Sequence, residues 1–261
     1  MIHALDHIAI AVASLQEASA SYAKLLGRQA DRIGARDACA WFQVANTGLK
    51  LAPVAPGTST GLSELAFTVG DIAQARRLLE RRGLVLPADE HAADTTTVML
   101  PLETTYHVPI KLVEISANSA GRTPAPLAVT DASAAIAGID HVVIRTPNPE
   151  RAMLLYAARL GLDLRLDRSH QDWGMRLLFF RCGDLIIELA HDLKAGISDG
   201  PDELWGISWR APDIIKAHAR LRTAGIDVSD VRAGRRLETQ VFTVRSGTVD
   251  VPTLVIGPSS G

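Results

Sequence analysis

The sequence predicts an α+β protein built from four copies of one β-α-β-β-β module. Two observations carry this. The chain repeats itself without a gap, and every copy hands a strand over to a helix at the same offset. Leu5-Asp6-His7-Ile8-Ala9-Ile10 opens the chain and Ile139-Asp140-His141-Val142-Val143-Ile144 opens it again, with Tyr22 and Gly27 matched by Tyr156 and Gly161. Inside each half a second unit begins, because Glu64-Leu65-Ala66-Phe67-Thr68-Val69-Gly70-Asp71-Ile72 matches Gly206-Ile207-Ser208-Trp209-Arg210-Ala211-Pro212-Asp213-Ile214.

The elements follow in order. Four first strands lead to Ser14, Asp71, Asn148 and Asp213, all residue types whose side chains cap a helix N-terminus. Gly27, Gly83, Gly161 and Gly225 then stand where the four helices should stop. β-type segments follow each helix, at 40–44 and 48–53, 96–100 and 108–115, 176–181 and 185–191, and 240–245 and 251–256. The small, polar, Pro-containing stretch 118–136 reads as a linker between one domain at 1–117 and another at 137–261.

Composition narrows the function classes. The chain has 261 residues, room for one or two domains at roughly 150 residues each. Hydrophobic residues make up 47% and charged residues 21%, enough to fill real cores. Lys plus Arg number 27 against 29 for Asp plus Glu, so there is no basic footprint for nucleic acid. No apolar run reaches the about 18 residues of a membrane span, and the N-terminus reads as a strand rather than a signal peptide. Cys39 and Cys182, far apart, suit partly buried thiols in a reducing compartment, hence a cytoplasmic location. No Ser-His-Asp order, P-loop or Gly-x-Gly-x-x-Gly is present.

Residues two apart on a strand share a face. One face of the four first strands is apolar and must meet the helices. The other carries His7, Glu64, His141, Gly206 and Arg210 among small residues, which suits a concave site. Aligning the later strands gives four equivalent slots per half. They hold His7, Lys50, Glu64 and Glu114 in the first half, and His141, Glu188, Gly206 and Gly257 in the second.

The Asp-His strand openings, the Leu-Gly after the first helix and the strand-borne glutamates resemble the vicinal oxygen chelate superfamily, which includes glyoxalase I, methylmalonyl-CoA epimerase, extradiol dioxygenases and bleomycin resistance proteins. The resemblance spans nearly the whole chain outside the linker. It implies two glyoxalase/dioxygenase-like half-barrel domains of paired modules, each wrapped into a cup whose first and last strands offer His, Glu or Gln to a divalent metal. Carried over by position, His141 and Glu188 match ligands in the second cup, and His7, Glu64 and Glu114 form a second candidate set. The ion implied is Fe, Mn or Zn, or none if the protein belongs with the metal-free members. Lys50 stands where a carboxylate is frequent, so it is expected to pair with Glu64 or Glu114 and to leave no metal in the first cup. Gly206 and Gly257 contribute no ligand and are expected to widen the second cup.

The substrate is expected in the C-terminal cup. Arg145, Arg210 and Arg176, with Trp173 nearby, offer guanidinium groups for an anion and an aromatic surface for an organic body. His141 and Glu188 are the catalytic candidates, as metal ligands or as proton shuttles. His170, His191, His3, His91, His107 and His218 are read as surface residues, and Arg232, Arg235 and Arg236 as a solvated loop. Two functions stay open: a glyoxalase- or dioxygenase-type enzyme acting on a small oxygenated anion, and a metal-free protein that binds a small molecule. The expected partner is that small molecule, with neither nucleic acid nor membrane. A homodimer stays open.

Overall fold

The computed structural model describes residues 1–33, 39–92, 95–115 and 126–259. The first module runs β1 (Ile2–Val12), α1 (Leu15–Leu26), β2 (Arg32–Ile33), β3 (Ala40–Gln43) and β4 (Gly48–Pro53). The second runs β5 (Gly61–Val69), α2 (Ile72–Arg81), β6 (Glu90–His91), β7 (Thr95–Met99) and β8 (Ile110–Ile115). In the third, β9 (Gly138–Arg145) and α3 (Pro149–Met153) precede β10 (Asp163–His170), β11 (Met175–Cys182) and β12 (Leu185–Asp192). The fourth holds β13 (Glu203–Arg210), α4 (Ile214–Thr223), β14 (Arg232–Ala233), β15 (Thr239–Val244) and β16 (Thr253–Pro258). The α+β class and the fourfold β-α-β-β-β pattern are therefore observed.

The strands form two eight-stranded sheets, ordered β2-β3-β4-β1-β5-β8-β7-β6 and β10-β11-β12-β9-β13-β16-β15-β14. The two orders are the same once the module numbers are shifted, as a duplicated sequence requires. Local chemistry sets the strand-to-helix corners. Ser14 accepts from Glu17 N, Asp71 from Gln74 N, Asn148 from Arg151 N and Asp213 from Lys216 N. Gly27, Gly83, Gly161 and Gly225 all take a positive φ just past the helices, a conformation that a Cβ would penalise. The third helix departs from the others: after α3 it continues as a π turn over Leu154–Arg159.

The apolar face of each sheet packs its helices. Phe42, Phe67, Phe180, Phe242 and Trp209 are fully buried there, with Tyr22 and Tyr156.

By packing, the chain forms two compact units, Met1–His7 with Glu64–Gly121 and Val142–Trp205, and Ile8–Ser63 with Arg122–His141 and Gly206–Gly261. Each unit joins modules from both sequence halves. In the first, Arg82 Nη1 donates to Arg159 O at 2.6 Å, closing the end of the third helix. A buried pair, Arg151 Nη2 to Asp202 Oδ1 at 2.9 Å, lies with its guanidinium 4.2 Å over the Tyr106 ring. In the second unit, Arg220 donates to the Lys24 and Leu25 carbonyls, closing α1. Tyr22 OH donates to Thr248 O at 3.1 Å.

The sequence reading of 118–136 is changed in part. Residues 118–125 lie outside the described residues. Ala134, Ala135 and Ile136 are buried, and Arg220 Nε donates to Ala134 O at 2.9 Å, so this end packs as structure rather than as free linker.

Candidate functional site

The site begins with the Asp-His dipeptide that opens both halves. On β1, Asp6 Oδ2 lies 2.6 Å from His7 Nδ1; on β9, Asp140 Oδ2 lies 3.0 Å from His141 Nδ1. Burial alone would raise the Asp140 carboxyl, but the His141 hydrogen bond and the charges of His141, Arg236 and Arg210 hold it below the usual range. An ionised carboxylate can only accept, so His141 Nδ1 is the donor. A pinned imidazole of this kind serves a general base or a metal ligand.

In the N-terminal half, His7 Nε2 lies 3.3 Å from Glu64 Oε1, and Lys111 Nζ lies 2.9 Å from Glu64 Oε2. Burial would raise the Glu64 carboxyl, but hydrogen bonds from His7 and Lys111 lower it to about 2. The expected Lys50 partnership is corrected: the ammonium on Glu64 belongs to Lys111. Lys50 sits on β4 opposite Trp41. The reason is register. Ala66 pairs with Lys111, which puts Lys111 on the face of Glu64.

The same register corrects Glu114. It pairs with Val69, beside the Phe67–Leu112 pair on the helix-facing side, and its Oε2 accepts from Ile72 N at 2.8 Å at the start of α2. Glu114 therefore cannot join His7 and Glu64 around one ion. Gly257 follows it to the helix side, where an added Cβ would lie 2.8 Å from Ala211 O. A Cβ at Gly206 would lie 2.7 Å from Pro252 O. Both glycines admit close backbone approach, and neither serves to widen a cup.

In the third module Glu188 pairs with Phe179, and Leu177 with Ala190, so these four share one face of β11 and β12. Val143, Leu177 and Ala190 form a buried apolar cluster there, with Met175, Phe179 and Trp205 packed against it. Glu188 is half-buried in this setting. Arg145, exposed, holds its guanidinium 4.3 Å over the Trp205 ring. Arg176 falls on the opposite face, paired with His191, and is held by Asp167 at 2.8 and 2.9 Å and by Glu150 at 2.6 Å. Its expected substrate-binding role is corrected, because two carboxylates already occupy the fork. His191, expected at the surface, is buried, with Nδ1 3.0 Å from Thr146 O. Trp173 is 43% exposed and stacks on His170 at 3.9 Å between ring centroids.

Arg210 on β13 and Arg236, in the turn between β14 and β15, border a cavity of about 300 Å³ with Asp140, Leu237, Ile256 and Pro258. Arg210 Nε lies 3.7 Å from Asp140 Oδ1. Sequence reasoning gave no role to Asp6, Asp140, Lys111 and Trp205, and it read Arg236, which lines this cavity, as part of a solvated loop. The Asp-His repeat was a visible signal for the first two; the others needed register and loop path. Among the described residues, no three His, Cys, Asp or Glu side chains form a group able to hold a metal ion. No helix among them is long and apolar enough to cross a membrane.

Residues 140–242 match the family model of the Glyoxalase/Bleomycin resistance protein/Dioxygenase superfamily. No curated protein matches in sequence. Among solved structures, a halotolerant catechol dioxygenase is similar at a TM-score of 0.72 and 14% identity, covering 98% of this chain and 87% of that one. The Mn(II)-bound glyoxalase from Novosphingobium aromaticivorans is similar at 0.71 and 15%, covering 98% and 82%. A catechol 2,3-dioxygenase is similar at 0.69 and 16%, covering 100% and 90%. The match to the superfamily's sequence model is thus confined to residues 140–242, and the fold is shared with these solved structures over nearly the whole chain.

Proposed function

From that superfamily match and that shared fold we propose that the protein is a glyoxalase/dioxygenase-type enzyme whose C-terminal half acts on a small oxygenated organic anion. The observation that carries the proposal is the Asp140–His141 pair, an imidazole oriented by an ionised carboxylate. His141 Nε2 is assigned the removal of a proton from a C–H or O–H next to a carbonyl, while Asp140 stabilises the imidazolium that forms. A positioned base of this kind contributes about 10²- to 10⁴-fold in rate. Glu188, on the apolar face of β11 and β12, is proposed as a further proton-transfer group. The buried Val143 and Leu177 and the half-buried Phe179 support it by giving Glu188 an apolar setting.

A resident metal was the other expectation, and the donor set argues against a preformed site. In the N-terminal half Lys111 holds Glu64, and Glu114 lies on the other side of its sheet. His141 and Glu188 each carry a donor atom of a type suited to Fe, Mn or Zn, and such an ion would supply Lewis acidity where bound. Among the described residues no third donor completes such a group. This shortage also favours a second reading, a metal-free protein that binds the anion without transforming it.

The test is proton exchange. The purified protein is incubated in D₂O with a panel of 2-oxo and 2-hydroxy carboxylates and followed by NMR. Exchange at the carbon next to the carbonyl, lost in His141→Ala and reduced at least tenfold in Glu188→Gln, supports the enzyme. Binding without exchange supports the second reading. Neither binding nor exchange across the panel overturns both.

A further inference from the structure

We propose that Arg236 and Arg210 together form the subsite that takes the ligand's carboxylate, and that Arg236 sets the preference for an anion over its neutral counterpart. This rests on the reading of the C-terminal half as the functional half and names the group that binds the ligand's charged end.

Three guanidinium groups were expected to share this task, and geometry removes two. Arg176 is held by Asp167 and Glu150 on the helix side of its sheet, and Arg145 is stacked on Trp205. Arg210 remains, and it meets a group that composition and motif did not reveal. Arg210 and Arg236 border the same cavity, and both act electrostatically on the Asp140 carboxylate, which also binds His141. The lining holds these two guanidinium groups with two carboxylates, Asp140 and Glu238, and with five N–H donors each the guanidinium groups can serve an incoming carboxylate besides Asp140.

The turn that carries Arg236 is built rather than loose. Gly234 N donates to Thr239 O at 2.8 Å, the Thr239 hydroxyl donates to Arg236 O, and Ser259 N donates to Glu238 O at 2.9 Å. Glu238 lines the same cavity, on a backbone with a positive φ of 58°. Leu237 is 91% exposed, and with Ile256 and Pro258 it gives the cavity an apolar border. At about 300 Å³ the space lies at the small end of ligand sites, which run from roughly 300 to 1,000 Å³. It suits a carboxylate on a short apolar stem.

The experiment uses the full chain and isothermal calorimetry with 3-phenylpropanoate and its uncharged amide, 3-phenylpropanamide. The parent is expected to bind the carboxylate at least tenfold more tightly than the amide. Arg236→Ala and Arg210→Ala should each erase most of that preference, and Arg236→Lys should restore part of it. Arg245→Ala, whose partner is Asp227, serves as a control and should leave it unchanged. Melting curves check folding, since Arg236 is exposed and its removal should not shift them. A preference that survives both alanine variants, or no binding of the carboxylate by the parent, overturns the inference. Loss of the preference in the variants of a protein that shows no proton exchange keeps the subsite while the enzymatic reading fails.

Discussion

Glu64 offers a stability test that can be worked from the structure. Its carboxylate accepts from Lys111 at 2.9 Å and lies 3.3 Å from His7 Nε2, with its side chain only 13% exposed. Its pKa falls from an ordinary 4.5 to about 2. That interval corresponds to roughly 3 kcal/mol of preferential stabilisation of the charged form in the folded state. Because the folded value is depressed, the contribution is whole above about pH 4.5 and is lost as the pH falls toward 2. Glu64→Gln should therefore lower stability at pH 7 by about 2–4 kcal/mol, a drop in Tm of roughly 4–16 °C at about 2–4 °C per kcal/mol. At pH 3 the gap between variant and parent should shrink. Thermal and urea unfolding at both pH values measure this. Equal stability at pH 7, or a gap that does not narrow at pH 3, refutes the idea that Glu64 is the charged centre of the cluster. Lys111→Met should also destabilise, and the double variant should lose less than the two single losses together, because the residues touch.

Two further substitutions probe packing. Arg151→Met removes the partner of Asp202, whose side chain is fully buried, and should cost about 3–5 kcal/mol in urea unfolding; a loss below about 1 kcal/mol contradicts a buried ion pair. Gly206→Ala forces a Cβ to within 2.7 Å of Pro252 O and should cost roughly 1–3 kcal/mol by overpacking. If that variant instead binds ligand more weakly with unchanged stability, the glycine faces the ligand after all.

What the linear sequence determined was the architecture. Duplication leaves matched residues at matched offsets, and capping chemistry is local, so the four helix starts at Ser14, Asp71, Asn148 and Asp213 were readable without a third dimension. The pinned histidines were readable too, since Asp6 and Asp140 precede His7 and His141 directly. What the tertiary structure alone decided was which ionisable groups share a face. A one-residue difference in register sends a side chain through the sheet, so Glu114 went to the start of α2 and Lys111 took its place beside Glu64. The same parity turned Arg176 away from Glu188. Arg236 came to Arg210 through the path of a turn, and no spacing in the sequence encodes that. Strand and helix follow from neighbours along the chain, whereas a site is made by neighbours across it.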